Sequence, residues 1–323
     1  MKRFLLCAFS LTSATTALAE LPDKPITLVV PYSAGGPTDR VARDFADALS
    51  RTLGGHTVIV DNSAGAGGNI GAAKVARAVP DGYTLLLHNI AMATSPTLYS
   101  KLSYKPLEDF EYLGMISDVP MTLIGRGNLP AANLAELTRL VTSEPGKLTI
   151  ANAGVGSAAH LCGLLFQQAI KGSMVAVPYK GTAPAMSDLL GGQVDLMCDQ
   201  TTNTSAQIAA GKLKVYGITT AARITTPSLA AVPTFGEAGL KEFRVAVWHG
   251  LYAPKGTPPA IADKLNALLR ASLKDADFQR READLGAVVV ADERAGREAH
   301  KRFVVQEMRR WQPVLKAAMQ YAN

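Results

Sequence analysis

Short β-forming runs alternate with helix-forming runs along most of this chain, and that alternation constrains its fold more than any other feature. The first kind is rich in Val, Ile and Leu, and the second carries apolar residues at helical spacing. The predicted strands are residues 26–30, 57–60, 84–87, 148–151, 174–178, 194–198, 215–219 and 245–252. The predicted helices are residues 39–49, 69–78, 158–170, 184–190 and 260–273. This pattern is typical of an α/β fold with largely parallel sheets, whose ligands bind at the carboxyl ends of the strands.

Two irregular stretches divide this series into two lobes. The chain has 323 residues, 48% of them hydrophobic, and is long enough for two cores. One break lies in residues 121–144 and a second, rich in Pro and Gly, in residues 222–243. We interpret the breaks as two crossings, so that residues 20–120 and 244–323 form a discontinuous lobe 1 and residues 121–243 form lobe 2. Two crossings predict a hinge with a cleft between the lobes.

The N-terminus has the pattern of a secretory signal peptide spanning residues 1–19. Lys2 and Arg3 precede an apolar run at residues 4–9, and the small-residue sequence Ala17-Leu18-Ala19 follows. The alternative is an apolar N-terminal helix of a cytosolic protein. No later window reaches the roughly 18 apolar residues of a membrane span. We therefore expect a soluble protein that is exported to the periplasm.

Charge and motif content argue against several kinds of partner. Without Lys2 and Arg3 the 33 basic residues become 31 against 27 acidic ones, a mild net charge of +4 with no arginine-rich arm. The glycine-rich stretch at residues 61–76 lacks the spacing of a dinucleotide fingerprint and the ending of a Walker loop. The five histidines have no metal-ligand spacing, and no Gly-x-Ser-x-Gly elbow occurs. We expect no nucleic acid, metal or cofactor, and a monomer.

Two cysteines, Cys162 and Cys198, remain after removal of the signal peptide. In an oxidising compartment such a pair can form a disulfide. The alternative is a pair of buried thiols.

The loop after the first predicted strand, "YSAGGPTD" at residues 32–39, leads into a helix without a capping side chain. Pro37 suits the first helical position, which makes Gly36 the N-cap. Glycine leaves the N–H groups of Thr38 and Asp39 without an internal acceptor, and such groups form an anion site. The alternative is a tight turn that needs glycine for its geometry alone.

Similar loops recur in lobe 2. "NAGVGSAAH" carries glycines before a helix start, "PYKGTAP" echoes the first loop and places Tyr179 at a position equivalent to Tyr32, and "MCDQTTNT" places polar groups at a strand end. Together these loops predict a polar cleft. The candidate ligand-binding residues are Tyr32, Ser33, Gly35, Gly36, Thr38, Asp39, Asn89, Gly154, Gly156, Ser157, Tyr179, Gly181 and Asp199.

Several segments, in order along the chain, resemble the receptors of tripartite tricarboxylate transporters, the periplasmic solute-binding family called Bug in Bordetella. They are "PITLVVPYSAGGPTDRVAR", "DNSAGAGGNIGAAKVARAVPDGYTLLL", "GVGSAAHLCGLLFQ", "VPYKGTAPAMSDLLGGQVDLMCDQ", "TTAARITTPSLAAVPTFGEAGL" and "WHGLYAPKGTPPAIADKLNALL". The resemblance implies a two-lobed type II periplasmic-binding fold that closes on a small carboxylate. It also implies that backbone and hydroxyl groups, with bridging waters, hold the carboxylate.

On this basis we expect a non-catalytic receptor that delivers a small carboxylate to a membrane permease of the tripartite tricarboxylate type. The resemblance leaves the ligand open. One alternative is a ligand-sensing partner of a signalling receptor. The other is a secreted enzyme acting on a carboxylate, for which Ser157 and His160 are the candidate nucleophile and base.

Overall fold

The computed structural model describes residues 23–322, and their side chains up to residue 317. The predicted signal peptide lies outside the described residues. The strands are β1 (Ile26–Val30), β2 (Val58–Asn62), β3 (Thr84–Asn89), β4 (Phe110–Arg126), β5 (Thr149–Asn152), β6 (Val175–Pro178), β7 (Leu196–Gln200), β8 (Leu213–Ile218), β9 (Ala246–Pro254) and β10 (Val288–Val289). The α-helices are α1 (Pro37–Thr52), α2 (Asn69–Ala76), α3 (Ala91–Leu98), α4 (Leu134–Ser143), α5 (Ala158–Ile170), α6 (Thr182–Leu190), α7 (Thr201–Ala209), α8 (Pro259–Ser272), α9 (Ala276–Asp284) and α10 (Arg297–Ala322). Within the described range, no helix is long and apolar enough to cross a membrane.

The strands are hydrogen-bonded in the order β2-β1-β3-β9-β4-β7-β5-β6, with β8 and β10 also paired to β4. The three strands at each end of this order are parallel, as the α/β pattern predicts. The middle strands β9 and β4 pair with each other and with their neighbours in antiparallel fashion. The α/β fold class is confirmed, while the sheets are mixed because the crossing strands run against the others.

Strand β4 passes from one proposed lobe to the other. Its residues up to Pro120 pair with β9, and its residues from Met121 onward pair with β7 and β8. Thr219 ties the two crossings together, because its N–H donates to the carbonyl of Met121 and its hydroxyl donates to the carbonyl of Val245. The change of partner in β4 falls between Pro120 and Met121.

Each lobe buries apolar side chains between sheet and helices. Along α1, Val41, Phe45 and Leu49 recur every fourth residue and are buried, and Phe45 packs edge-to-face on Phe278 of α9.

In lobe 2 a disulfide joins Cys162 of α5 to Cys198 of β7, with a Cα–Cα distance of 6.0 Å. Both cysteines are fully buried.

Candidate functional site

A small enclosed cavity lies between the two lobes, at the carboxyl ends of β1, β3, β5 and β7. Its volume is about 20 Å³, which is room for about one water molecule. An acid of several carbon atoms is larger than this, so the lobes must separate for it to enter. The cavity is lined by Tyr32, Pro37, Thr38, Asn89, Ala153, Ser157, Ala158, Ala159, Thr182, Asp199 and Gln200.

Helix N-termini from both lobes face this cavity. Helix α1 begins after Gly36, which makes no side-chain cap, and the N–H groups of Thr38 and Asp39 have no acceptor among the described residues. The N–H groups of Ala158 and Ala159 at the start of α5 likewise have no acceptor within residues 23–322. N–H groups at helix starts carry partial positive charge, so the two termini together favour an anion between them.

Two further helices start at the cavity wall. Thr182 is the first residue of α6, and Gln200 is the N-cap of α7. No Lys or Arg is among the described residues that line the cavity. The positive potential of the site therefore comes from backbone N–H groups, as the loops suggested.

Polar side chains of lobe 1 form a hydrogen-bonded group at the cavity wall. The Tyr32 hydroxyl donates to the carbonyl oxygen of Gly67 at 3.0 Å and lies 3.2 Å from Asn89 Oδ1. Asn89 Nδ2 in turn donates to Thr38 Oγ1 at 3.2 Å. Burial raises the pKa of Tyr32, so its phenol is neutral and remains a donor.

Asp199 places a carboxyl group on the same wall. The residue is 1% exposed, and its Oδ2 accepts a hydrogen bond from Asn203 Nδ2 at 2.6 Å. Burial raises the pKa of Asp199 to about 6, more than its hydrogen bonds lower it. The group therefore changes charge near neutral pH.

The side chain of Asp39 does not line the cavity. Its carboxylate accepts from the Gly35 N–H at 2.8 Å, from Arg43 Nε at 2.8 Å and from Asn62 Nδ2 at 2.9 Å. Burial alone would raise its pKa, but these donors outweigh burial and lower it. The Asp39 side chain holds the loop in shape, and only its backbone N–H is available at the helix start.

Other predicted residues form contacts between the lobes. The Ser33 N–H donates to the carbonyl of Lys180, and the Thr94 hydroxyl donates to the carbonyl of Gly156 at 3.1 Å. A Cβ at Gly154 would lie 3.0 Å from the backbone nitrogen of Gly67. Gly154 and Gly181 let the two backbones approach closely. The predicted glycines that lie outside the cavity lining are Gly35, Gly36, Gly154, Gly156 and Gly181.

Tyr179 also lies away from the cavity lining. Its hydroxyl donates to Asp188 Oδ2 at 2.6 Å, and the residue lines a wider recess at the lobe boundary instead of the enclosed cavity. Tyr32 and Tyr179 therefore share a sequence pattern but not a side-chain role.

The residues proposed for an enzyme do not form a nucleophile and base pair. Ser157 Oγ accepts from the backbone N–H of His160, which caps α5, while His160 Nδ1 faces the N–H of Gly156 at 3.3 Å. The imidazole is thus directed to the backbone rather than to the hydroxyl. Burial lowers the pKa of His160.

Some residues at the site were not among the predicted ones. Thr182 and Gln200 occur in loops that the sequence singled out, whereas Ala158 and Ala159 contribute only backbone, which no side-chain pattern reveals. His249 contacts Thr38, and no sequence pattern associates it with the site. Within residues 23–322 no group of three or more His, Cys, Asp or Glu side chains is placed to hold a metal ion.

Two α/β lobes that are joined by crossing strands and enclose a polar cavity define a periplasmic-binding-protein fold. The chain belongs to the tripartite tricarboxylate transporter receptor family (TctC), whose family model matches residues 41–319.

Solved structures of similar proteins agree with this family. Periplasmic binding protein BugD is 49% identical, with a TM-score of 0.89 over 92% of this chain and 98% of BugD. MatC from Rhodopseudomonas palustris, solved with bound malate, is 38% identical, with a TM-score of 0.86 over 91% of this chain and 99% of MatC. Rpa4515 from R. palustris, solved with adipate, is 34% identical, with a TM-score of 0.87 over 93% of this chain and 98% of that protein.

Proposed function

We propose that this protein captures a small organic carboxylate between its lobes and presents it to a membrane permease of the tripartite tricarboxylate type. The observation that carries the proposal is the convergence of the α1 and α5 N-termini, one from each lobe, on one enclosed cavity. A carboxylate that bridges these termini would favour the closed arrangement, because it binds both lobes at once.

Backbone and hydroxyl donors supply enough free energy for this task. The available donors include the N–H groups of Thr38, Asp39, Ala158 and Ala159 and the hydroxyl of Thr38. A hydrogen bond to a charged group contributes about 1.5 to 3 kcal/mol. Micromolar binding requires about 8 kcal/mol, so four or five such bonds suffice without a buried arginine.

The same donors explain why the site defines the class of ligand but not which member of that class binds. Backbone N–H groups recognise the carboxylate that all candidate acids share. MatC and Rpa4515 were solved with two different dicarboxylates, malate and adipate. That two relatives hold different acids supports a carboxylate as the shared ligand group and leaves the identity of the acid open.

The proposal includes export and a non-catalytic role. A signal peptide at residues 1–19 and a relative described as a periplasmic binding protein support a periplasmic location. The separation of Ser157 from the His160 imidazole supports binding without turnover.

The test is native mass spectrometry of the protein as purified, followed by a thermal-shift screen of mono-, di- and tricarboxylates. Sugars and divalent metals serve as negative controls. We expect at least one carboxylate to raise the melting temperature, because a ligand that binds only the folded state stabilises it. If sugars or metals do so and no carboxylate does, the ligand class is wrong.

Two further measurements separate this role from its alternatives. Incubation of the identified acid with the protein should return the acid unchanged, whereas turnover that is lost in Ser157→Ala would identify an enzyme. Pull-down with the loaded protein should retain the permease, and capture of a sensor ectodomain instead would favour signalling.

A further inference from the structure

His249 does not line the cavity, but its ring contacts a hydroxyl that does. His249 lies on β9 directly opposite Asn89 of β3, and its Nε2 is 3.4 Å from Thr38 Oγ1. On the other side of the ring, Nδ1 is 3.3 Å from Ser117 Oγ of β4. All four residues are at least 98% buried. A series of side-chain contacts thus runs from Ser117 on the sheet through His249 to Thr38 at the cavity.

The orientation of the Asn89 amide is fixed by its neighbours. Its Oδ1 accepts a hydrogen bond from the backbone N–H of Ala91 at 3.1 Å, and a backbone N–H can only donate. The amide nitrogen of Asn89 therefore faces Thr38 and donates to its hydroxyl oxygen. One of the two acceptor positions of Thr38 Oγ1 is occupied in this way.

The proton on His249 is assigned by the same reasoning. Within the described residues, Ser117 Oγ has His249 Nδ1 as its hydrogen-bond partner, and if Nδ1–H were the donor the buried Ser117 proton would have no acceptor there. The hydroxyl is therefore assigned as the donor to Nδ1. Burial lowers the pKa of His249 to about 3, so the ring is neutral at physiological pH and carries one proton. That proton is on Nε2, and Nε2–H donates to Thr38.

We propose that His249, oriented by Ser117, is a positioning residue that makes the Thr38 hydroxyl an obligatory donor to the ligand. Asn89 and His249 fill both acceptor positions of Thr38 Oγ1, so its hydrogen points toward the cavity that Thr38 lines. The site then favours an oxygen acceptor such as a carboxylate and disfavours an amine or amide N–H at this position. The inference rests on the proposed function for the identity of the acceptor.

The spectroscopic test uses the wild-type protein in both free and carboxylate-loaded forms. Nitrogen-15 NMR of the labelled imidazole should show His249 Nε2 protonated and Nδ1 unprotonated, unchanged between pH 6 and 8. Protonation at Nδ1 would overturn the proposal. The spectrum of the free protein does not depend on whether any carboxylate binds. A wrong assignment of the His249 proton can therefore be told apart from a wrong proposed function.

The binding test uses Ser117→Ala, which removes the donor that orients His249 but touches no cavity surface. We expect about a tenfold loss of carboxylate affinity, recovery in Ser117→Thr, and no additional loss when Ser117→Ala is combined with Thr38→Val. Ser272→Ala, a buried serine on α8 that contacts Thr52, is the matched control and should bind normally. Full carboxylate affinity in Ser117→Ala would contradict the proposal. So would a loss of affinity on Ser117→Ala that is equally large in the wild-type and Thr38→Val backgrounds.

Discussion

The backbone N–H of Ser33 in lobe 1 donates a hydrogen bond of 3.2 Å to the carbonyl oxygen of Lys180 in lobe 2. The next residue, Gly181, packs against the same serine, because a Cβ there would lie 2.1 Å from Ser33 Oγ and 2.9 Å from its nitrogen. This contact joins the two lobes beside the cavity and makes closure sensitive to a single methyl group.

Gly181→Ala should therefore hinder closure of the lobes. We expect carboxylate affinity to fall by at least about tenfold, or ~1.4 kcal/mol. Isothermal titration measures the affinity, and small-angle scattering of the loaded protein should show a larger radius of gyration. The control is Gly236→Ala, where the nearest atom to a new Cβ is 3.6 Å away. Normal affinity and compactness in Gly181→Ala would show that this contact does not govern closure.

Gly36→Asp should fill the vacant cap of α1. The position has φ −83°, and the nearest atom to a Cβ is 3.4 Å away, so a Cβ is accommodated there. The new carboxylate would accept from the free N–H groups and place a negative charge beside the ligand, so we expect affinity to fall at least about tenfold. The free energy of unfolding without ligand should not decrease.

Gly36→Ala separates charge from size, since it adds a methyl group without a cap or a charge. It should bind more tightly than Gly36→Asp. Equal affinity of Gly36→Asp and wild type would remove the α1 N-terminus from the binding site.

Asp199 should make carboxylate binding depend on pH. With a pKa of about 6 in this closed arrangement, the group is neutral below pH 6 and repels a bound carboxylate above it. The dissociation constant should therefore increase as pH rises from 5 to 8, by up to about tenfold per unit. His88 and His249, whose pKa values burial lowers to about 3, do not titrate in this window.

Asp199→Asn should flatten this profile, because the amide stays neutral. Asp284→Asn, a side chain that is 69% exposed on α9, should keep the wild-type slope. A wild-type affinity that is constant from pH 5 to 8 would mean that Asp199 does not face the ligand carboxylate.

The Cys162–Cys198 bridge should stabilise lobe 2. It closes a loop of 36 residues, for which chain entropy predicts about 3 to 4 kcal/mol. Chemical denaturation of Cys162→Ala/Cys198→Ala should show a loss of this size relative to the oxidised wild type. Labelling of the unreduced, unfolded wild type should find no free thiol, and two labelled cysteines would refute the bridge.

Most of the strands and helices were predictable because each carries its own pattern. All eight predicted strands occur within two residues of their expected ends, and α5 matches its prediction at both ends. The sequence patterns do not predict strand β4. Gly114 and Pro120 interrupt its sequence, its register shifts twice against β9, and it is buried on both faces, so no alternation of polar and apolar residues marks it.

The cavity lining was predictable where loops at strand ends carry polar groups, as at Thr38, Asn89, Ser157 and Asp199. It was not predictable where function depends on register between distant strands. Ser117 and His249 are separated by 132 residues and meet only because β4 and β9 pair opposite each other. The side-chain partners of Asp39 and Tyr179 likewise cannot be read from loop composition.

The most direct test of the account is a crystal structure with the carboxylate identified by the thermal-shift screen. We predict carboxylate oxygens within about 3 Å of backbone nitrogens at the α1 start, Thr38 or Asp39, and at the α5 start, Ala158 or Ala159. An acid held by surface Lys or Arg side chains, or by one lobe alone, would contradict the account.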